Sequence, residues 1–155
     1  AVRCGRRASL ALPFVPLEGP TLEAIAELLA TSTIASLGLR FNGLGDEGCL
    51  VLATALRPPA SLRELAITGN KLGPRAARHL AAALQVNASL ESLDLSNNLL
   101  GDDGLGILGG GLATNSTLTF LDVSDNGATG AGVAQLADSV VSNGSPPNSE
   151  FRFGA

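Results

Sequence analysis

The sequence predicts an α/β solenoid: a curved, right-handed β-α superhelix with a parallel sheet on its concave face and helices on its convex face. Three observations carry this expectation. Four stretches superimpose at a spacing of 28 residues, Ile34/Leu37/Leu39/Asn42, Leu62/Leu65/Ile67/Asn70, Leu90/Leu93/Leu95/Asn98 and Leu118/Leu121/Val123/Asn126. Past each asparagine the register continues through Leu44-Gly45, Leu72-Gly73 and Leu100-Gly101, then through the small residues Gly48, Ala76, Gly104 and Gly132. Each unit closes on apolar residues four apart, Leu52 and Leu56, Leu80 and Leu84, Leu108 and Leu112, Leu136 and Val140, which stack on one helix face. A lone strand-turn-helix unit cannot bury its apolar face, so units stack side by side.

The elements follow in order. Residues 1–21 read as an irregular lead segment or degenerate first unit; Leu10-Ala11-Leu12, followed by Leu22 to Leu29, repeats the pattern with a slip of one residue. The repeat domain spans 22–155, with full units starting near 34, 62, 90 and 118 and a truncated unit from 146, whose strand is Glu150-Phe151-Arg152-Phe153. Gly45, Gly73, Gly101 and Thr129 form the expected N-cap column, followed by Asp46, Pro74 and Asp102, which suit a first helical turn. Pro58-Pro59, Asn87, Asn115 and Asn143 close the helices, asparagine being tolerant of the left-handed turn that ends one. Neither end shows a polar cap, so the solenoid is expected to continue or to dock at its C-terminal end. The first residue, Ala1, points to a processed product or a piece of a longer chain.

These repeats resemble the leucine-rich repeat family, specifically its 28-residue ribonuclease-inhibitor type, found also in NOD-like receptors and Ran GTPase-activating proteins. The resemblance covers roughly Leu22 to Ala155. It implies a binding role without naming the partner. It also implies that the asparagine ladder Asn42, Asn70, Asn98 and Asn126 is architectural, its amides satisfying backbone groups between units.

Composition bounds the function. At 155 residues and 45% hydrophobic the chain supports a single aliphatic core, without Trp, Tyr or Met. No apolar run approaches the roughly 18 residues that span a bilayer, so membrane insertion is not expected. Cys4 and Cys49 are too few and too separate for a disulfide scaffold or zinc motif, and Cys49 reads as a small buried hydrophobe. Arg3, Arg6 and Arg7 in an acid-free stretch fit either the remnant of an organelle-targeting peptide or an arbitrary fragment edge, and the default location is the cytoplasm.

Several motifs dissolve into the register. Gly104-Leu-Gly106-Ile-Leu-Gly109 spells a dinucleotide fingerprint, but Gly104 is the small-residue column and Leu108 a core column. The glycines lower this unit's helix propensity and are expected to make it the softest. The sequons at Asn87, Asn115 and Asn143 share the helix-ending column, so their periodicity is structural. His79, the single histidine, falls with Arg75 and Arg78 on an outer helix face, and spacing assembles no Ser, Cys or acid around it. No catalytic residue, metal or cofactor is assigned. Basic side chains without interleaved aromatics, in a chain of net charge -4, do not suggest nucleic-acid binding.

A partner is expected on the concave wall, where residues between the leucines form columns across the strands. One column reads Gly38, Ala66, Asp94, Asp122, Glu150, another Ser36, Glu64, Ser92, Phe120, Asn148, and a third Arg40, Thr68, Ser96, Ser124, Arg152. With Asp125 nearby, the first column becomes acidic and favours a basic partner surface. Phe41 and Phe120 project from the same wall as aromatic anchors. The partner-binding set is therefore Arg40, Phe41, Glu64, Asp94, Phe120, Asp122, Asp125 and Glu150. Charge also separates along the chain, net +3 over 1–79 and -7 over 80–155, which suits end-to-end stacking with further repeats. The leading expectation is a non-enzymatic protein-interaction module. Its alternatives are a Ran-type GTPase-activating protein and a structural subunit of a larger assembly.

Overall fold

Alternation in each leucine stretch puts every second side chain into the core, and the asparagine that follows ends the strand, so each unit contributes one short strand to a common sheet. The computed structural model describes residues 8–15, 17, 19–31, 33–142 and 150–154. Its elements alternate strictly: β1 (Ala8–Ala11), α1 (Gly19–Thr31), β2 (Ile34–Gly38), α2 (Gly45–Ala55), β3 (Glu64–Ala66), α3 (Pro74–Leu84), β4 (Ser92–Asp94), α4 (Gly101–Leu112), β5 (Phe120–Asp122), α5 (Gly130–Ser142) and β6 (Glu150–Arg152). The strands lie in sequence order, all parallel, in one sheet. This is the α/β solenoid that the repeat predicts. The helix pairs from Leu52 and Leu56 through Leu136 and Val140 are all buried, and one aliphatic core runs from Leu22 to Val140. Burying each leucine stabilises the fold by about 1.5–3 kcal/mol.

The register holds through the middle and departs at both ends. Ser36, Glu64, Ser92 and Phe120 pair in succession, as the 28-residue repeat requires. In the lead segment Leu10 pairs with Leu37, one residue short of the period, with an irregularity between Ala8 and Ser9. At the other end Phe120 pairs with Glu150, Leu121 with Phe151 and Asp122 with Arg152, so the last unit is two residues longer. The extra residues fall between Val140, still in register with Leu112, and β6. Glu150 therefore does not belong to the Asp94 and Asp122 column; Arg152 does. Asn148, Pro146, Asn143, Cys4 and the lead arginines lie outside the described residues.

After each strand the ladder continues to a turn. Leu39 N–H donates to Ala66 O at 2.8 Å and Phe41 N–H to Thr68 O at 2.9 Å, and Gly69 and Asn97 make the equivalent bonds one and two units on. The backbone then turns left-handed at Phe41, Gly69, Asn97 and Asp125, with φ of 56°, 67°, 56° and 54°. Phe14, before them, has φ 59°. This conformation suits Gly, Asn and Asp but costs a bulky residue about 1–2 kcal/mol.

The next residue in each turn is the ladder asparagine, buried in all four units. Asn98 Oδ1 accepts from Asn70 N at 2.8 Å and Leu72 N at 3.1 Å, while its Nδ2 donates to Ile67 O, Leu95 O and Ser96 O. Asn70 makes the same connections to Asn42 N, Leu44 N and Leu39 O. These are buried backbone groups that no strand or helix satisfies.

On the convex side, the helix-closing asparagines behave differently from expectation. Asn87 and Asn115 do not take up the left-handed backbone. Their side chains reach back instead: Asn87 Nδ2 donates to Leu56 O at 2.6 Å, and Asn115 Nδ2 to Leu84 O at 2.8 Å, capping the preceding unit's helix. Their Oδ1 atoms accept from Leu90 N and Leu118 N. Both are buried, so neither sequon is open to glycosylation in the folded chain.

The helix starts also depart from a uniform column. Gly73 is the N-cap of α3 and Thr129 precedes α5, but Gly45 and Gly101 lie inside α2 and α4, behind Leu44 and Leu100. Asp46 and Asp102 serve the following unit: Asp46 Oδ1 accepts from Gly73 N at 2.8 Å, and Asp102 from Thr129 N at 2.7 Å and Gly132 N at 3.2 Å. The Thr129 hydroxyl and the backbone N–H groups of Thr129 and Gly132 hold the Asp102 carboxyl below its ordinary range.

The glycine fingerprint lies wholly within α4, a helix packed between α3 and α5 rather than a phosphate-binding loop. In the same helix a Cβ on Gly111 would lie 2.5 Å from the Ala81 Cα, so the glycine sets the spacing of α3 and α4. Cys49 is fully buried, and desolvation, then the Asp46 charge, pushes its thiol up to about 12. Among the described residues no helix is long and apolar enough to cross a membrane.

Candidate functional site

Because the leucines between them are buried, the alternate residues of β2 to β5 face an open groove of about 530 Å³ on the concave side. It gathers five of the residues expected to bind a partner: Arg40, Glu64, Asp94, Phe120 and Asp122. Arg152 joins them from β6. Gly38 and Ala66 form a shallow floor at the β1 end.

The aspartates are held by the serines two residues on. Asp94 Oδ1 accepts from Ser96 Oγ at 2.6 Å and Ser96 N at 3.1 Å, and Asp122 Oδ1 from Ser124 Oγ at 2.6 Å and Ser124 N at 2.9 Å. This fixes each carboxylate and leaves Oδ2 for other contacts. Asp94 Oδ2 meets Arg40 Nη2 at 3.5 Å. Glu64 and Asp122 have no ion pair among the described residues.

Arg152 corrects the expected charge pattern. It stands over the Phe120 ring at 5.2 Å from the centroid, with Nε and Nη2 on Glu150 Oε1 at 2.8 and 2.6 Å. The Glu150 hydrogen bond and charge, then Asp122 and Asp94, raise its pKa and keep it cationic. The column thus ends in an arginine, and the groove carries mixed charge rather than a wall of acids. Alignment on the apolar residues would have found this, since Phe151 and Phe153 are two apart like Leu121 and Val123.

Phe41, Asp125 and Glu150 are not brought into the groove. Phe41 does not project beside Phe120; it occupies the turn after β2, its ring lying over Gly69, where a Cβ would collide with it. Asp125 occupies the equivalent turn three units on, exposed. Sequence reasoning missed Phe14, whose ring stacks on Phe41 with centroids 5.3 Å apart and planes 4° from parallel. His79 lies on the convex side, beside Thr54 and Arg57 between α2 and α3. Among the described residues no group of three or more His, Cys, Asp or Glu is placed to hold a metal ion. What the groove offers is a rigid polar surface: fixed carboxylates, two guanidinium groups, hydroxyls and one aromatic face.

Comparison with known proteins agrees with this architecture. The family model described as Leucine Rich repeat matches residues 32–53, 86–106 and 114–137. A comparison with curated proteins finds no match. Among solved structures the chain is similar to "Leiomodin-1 Actin-Binding Site 2 (ABS2)", with TM-score 0.67 and 18% identity over 86% of this chain and 78% of that one. At that identity the likeness concerns the fold. The matched segments fall on the β2–α2, β4–α4 and β5–α5 units of the six-stranded parallel solenoid, so the chain carries leucine-rich repeats.

Proposed function

We propose that this chain is a non-enzymatic protein-interaction module that holds a partner protein on its concave groove. The observation that carries the reading is an excess of carboxylate in the groove, where Glu64 and Asp122 have no cation within ion-pair distance among the described residues, beside an Arg152–Phe120 stack. Fixed charges and an aromatic face on strands suit recognition of a protein surface, with little ordering cost on binding. The unmatched carboxylates favour a partner with a basic surface. A related fold described as an actin-binding site supports protein binding as a use of this scaffold.

The test is affinity capture from native lysate with the wild-type chain and Asp122→Lys as parallel baits. A partner retained by the first and lost by the second, at unchanged melting temperature, is expected. Recovery of the same proteins by both baits overturns the reading. Ran-type GTPase activation is separated from it by a GTP hydrolysis assay, in which the chain is expected to leave the rate unchanged.

A further inference from the structure

The rim of the groove carries a feature that the repeat does not require. Phe14 and Phe41 stack face to face, yet they are 73% and 44% exposed. Phe41 occupies the left-handed turn position that later units fill with Gly69, Asn97 and Asp125, and Phe14 is left-handed too. Each ring holds the other in place, so the pair forms an apolar ledge with little side-chain freedom left to lose. Val15, the next residue in the chain, is also exposed. The ledge is continuous with the groove: Phe14 N–H donates to Arg40 O at 3.1 Å, and Pro13 and Arg40 line the groove's near end.

Farther along, the charges are unequal. Asp94 is met by Arg40 and Arg152 by Glu150; Asp122 acts on Arg152 only at longer range, and among the described residues neither it nor Glu64 has a cation within ion-pair distance, which leaves an excess of carboxylate to face a ligand. An apolar anchor at one end and unmatched negative charge toward the other describe a particular occupant. We infer that the partner enters as an extended basic segment, setting one apolar side chain on the Phe14–Phe41 ledge and reaching Asp122 with a lysine or arginine. This rests on the groove being the binding surface. Strand spacings of about 4.8 Å and residue rises of about 3.3 Å place Asp122 roughly 17 Å from the Phe41 turn. In an extended peptide the anchor and the cation then fall about five residues apart.

The experiment is panning of a phage-displayed random-peptide library on the intact chain, followed by calorimetry with the enriched peptide. Enriched sequences are expected to pair an apolar residue with Lys or Arg about five positions away. Affinity is expected to fall about tenfold or more with Phe14→Asn plus Phe41→Asn, and likewise with Asp122→Asn. Asparagine suits the first pair because Asn97 already holds that backbone, and thermal unfolding of each variant confirms that it folds. A peptide weakened by Asp122→Asn but indifferent to the phenylalanine variant overturns the ledge and leaves the groove reading standing. A peptide indifferent to both overturns both. Acidic enriched sequences, or no enrichment, overturn the inference. So does a dimer that the phenylalanine variant dissociates, because the ledge would then serve a second copy of this chain.

Discussion

The turn edge of the solenoid and its helical layer join successive units by different physics. At the turn edge, polar contacts join the units: each ladder asparagine satisfies backbone groups of the unit before it. Across the helices spacing is set by volume, with Gly111 against Ala81, and by the Asp46 and Asp102 bridges at alternate boundaries. The contrast teaches that a turn-edge position is fixed by hydrogen-bond capacity and a helix position by size. It also explains why the residue just before each ladder asparagine is free to vary, since the backbone there asks only for a left-handed turn.

The largest expected effect lies on the turn edge. Asn98→Ala orphans the buried Asn70 and Leu72 N–H groups, so unfolding in urea is expected to show a loss of about 3 kcal/mol. A loss no greater than that of an exposed substitution would break the contrast. In the helical layer, Gly111→Ala is expected to destabilise by about 2 kcal/mol despite its better helix propensity, because the methyl group meets the α3 backbone. Its neighbour sharpens the point: Gly110 is exposed with nothing within 4 Å of an added Cβ, and Gly110→Ala is expected to stabilise by about 0.5–1 kcal/mol. If both substitutions shift the melting temperature the same way, spacing is not set by volume.

The smallest effect is electrostatic. Asp102 has a depressed pKa in the folded chain, so its contribution is present above the unfolded carboxyl value of about 3.9 and is lost as pH falls through the lower folded value. Asp102→Asn removes that dependence. Melting curves between about pH 5 and pH 2 are expected to fall more steeply for wild type than for Asp102→Asn. Parallel curves would show that the bridge does not need the charge.

Legibility in the sequence followed the same division. The strands, the buried leucine pairs and the asparagine column repeat at a fixed interval, so their positions in the stack could be counted. Arg152 could not be placed by counting, because the last unit is two residues longer and the period fails there. The Phe14–Phe41 stack joins a regular unit to the degenerate lead segment, where the pattern is faint. Acids such as Asp46 and Asp102 carry a local meaning in a first helical turn; their hydrogen-bond partners lie in the next unit, and no local signal marks them. At Asn87 and Asn115 the helix-ending column suggests a backbone conformation, whereas their task belongs to the side chain. Of the groove, the members on regular strands could be found by counting and Arg152 only by aligning the apolar residues of its strand, while the stacked rim could be found by neither.

The ladder also has a direction. Asn70 covers Asn42 N–H and Leu44 N–H, Asn98 covers Asn70 N–H and Leu72 N–H, and Asn126 covers Leu100 N–H. Each unit is lapped by its successor, as a course of roof slates is. Lifting the first course strips Asn42 of Leu12 O, and the freed amide turns to solvent. Lifting the last bares a backbone N–H in the course beneath. Along the turn edge, loss of a unit therefore bares amides of the unit on its N-terminal side, whereas Asp46 and Asp102 lap the opposite way, and loss of their units bares Gly73 and Thr129 N–H groups.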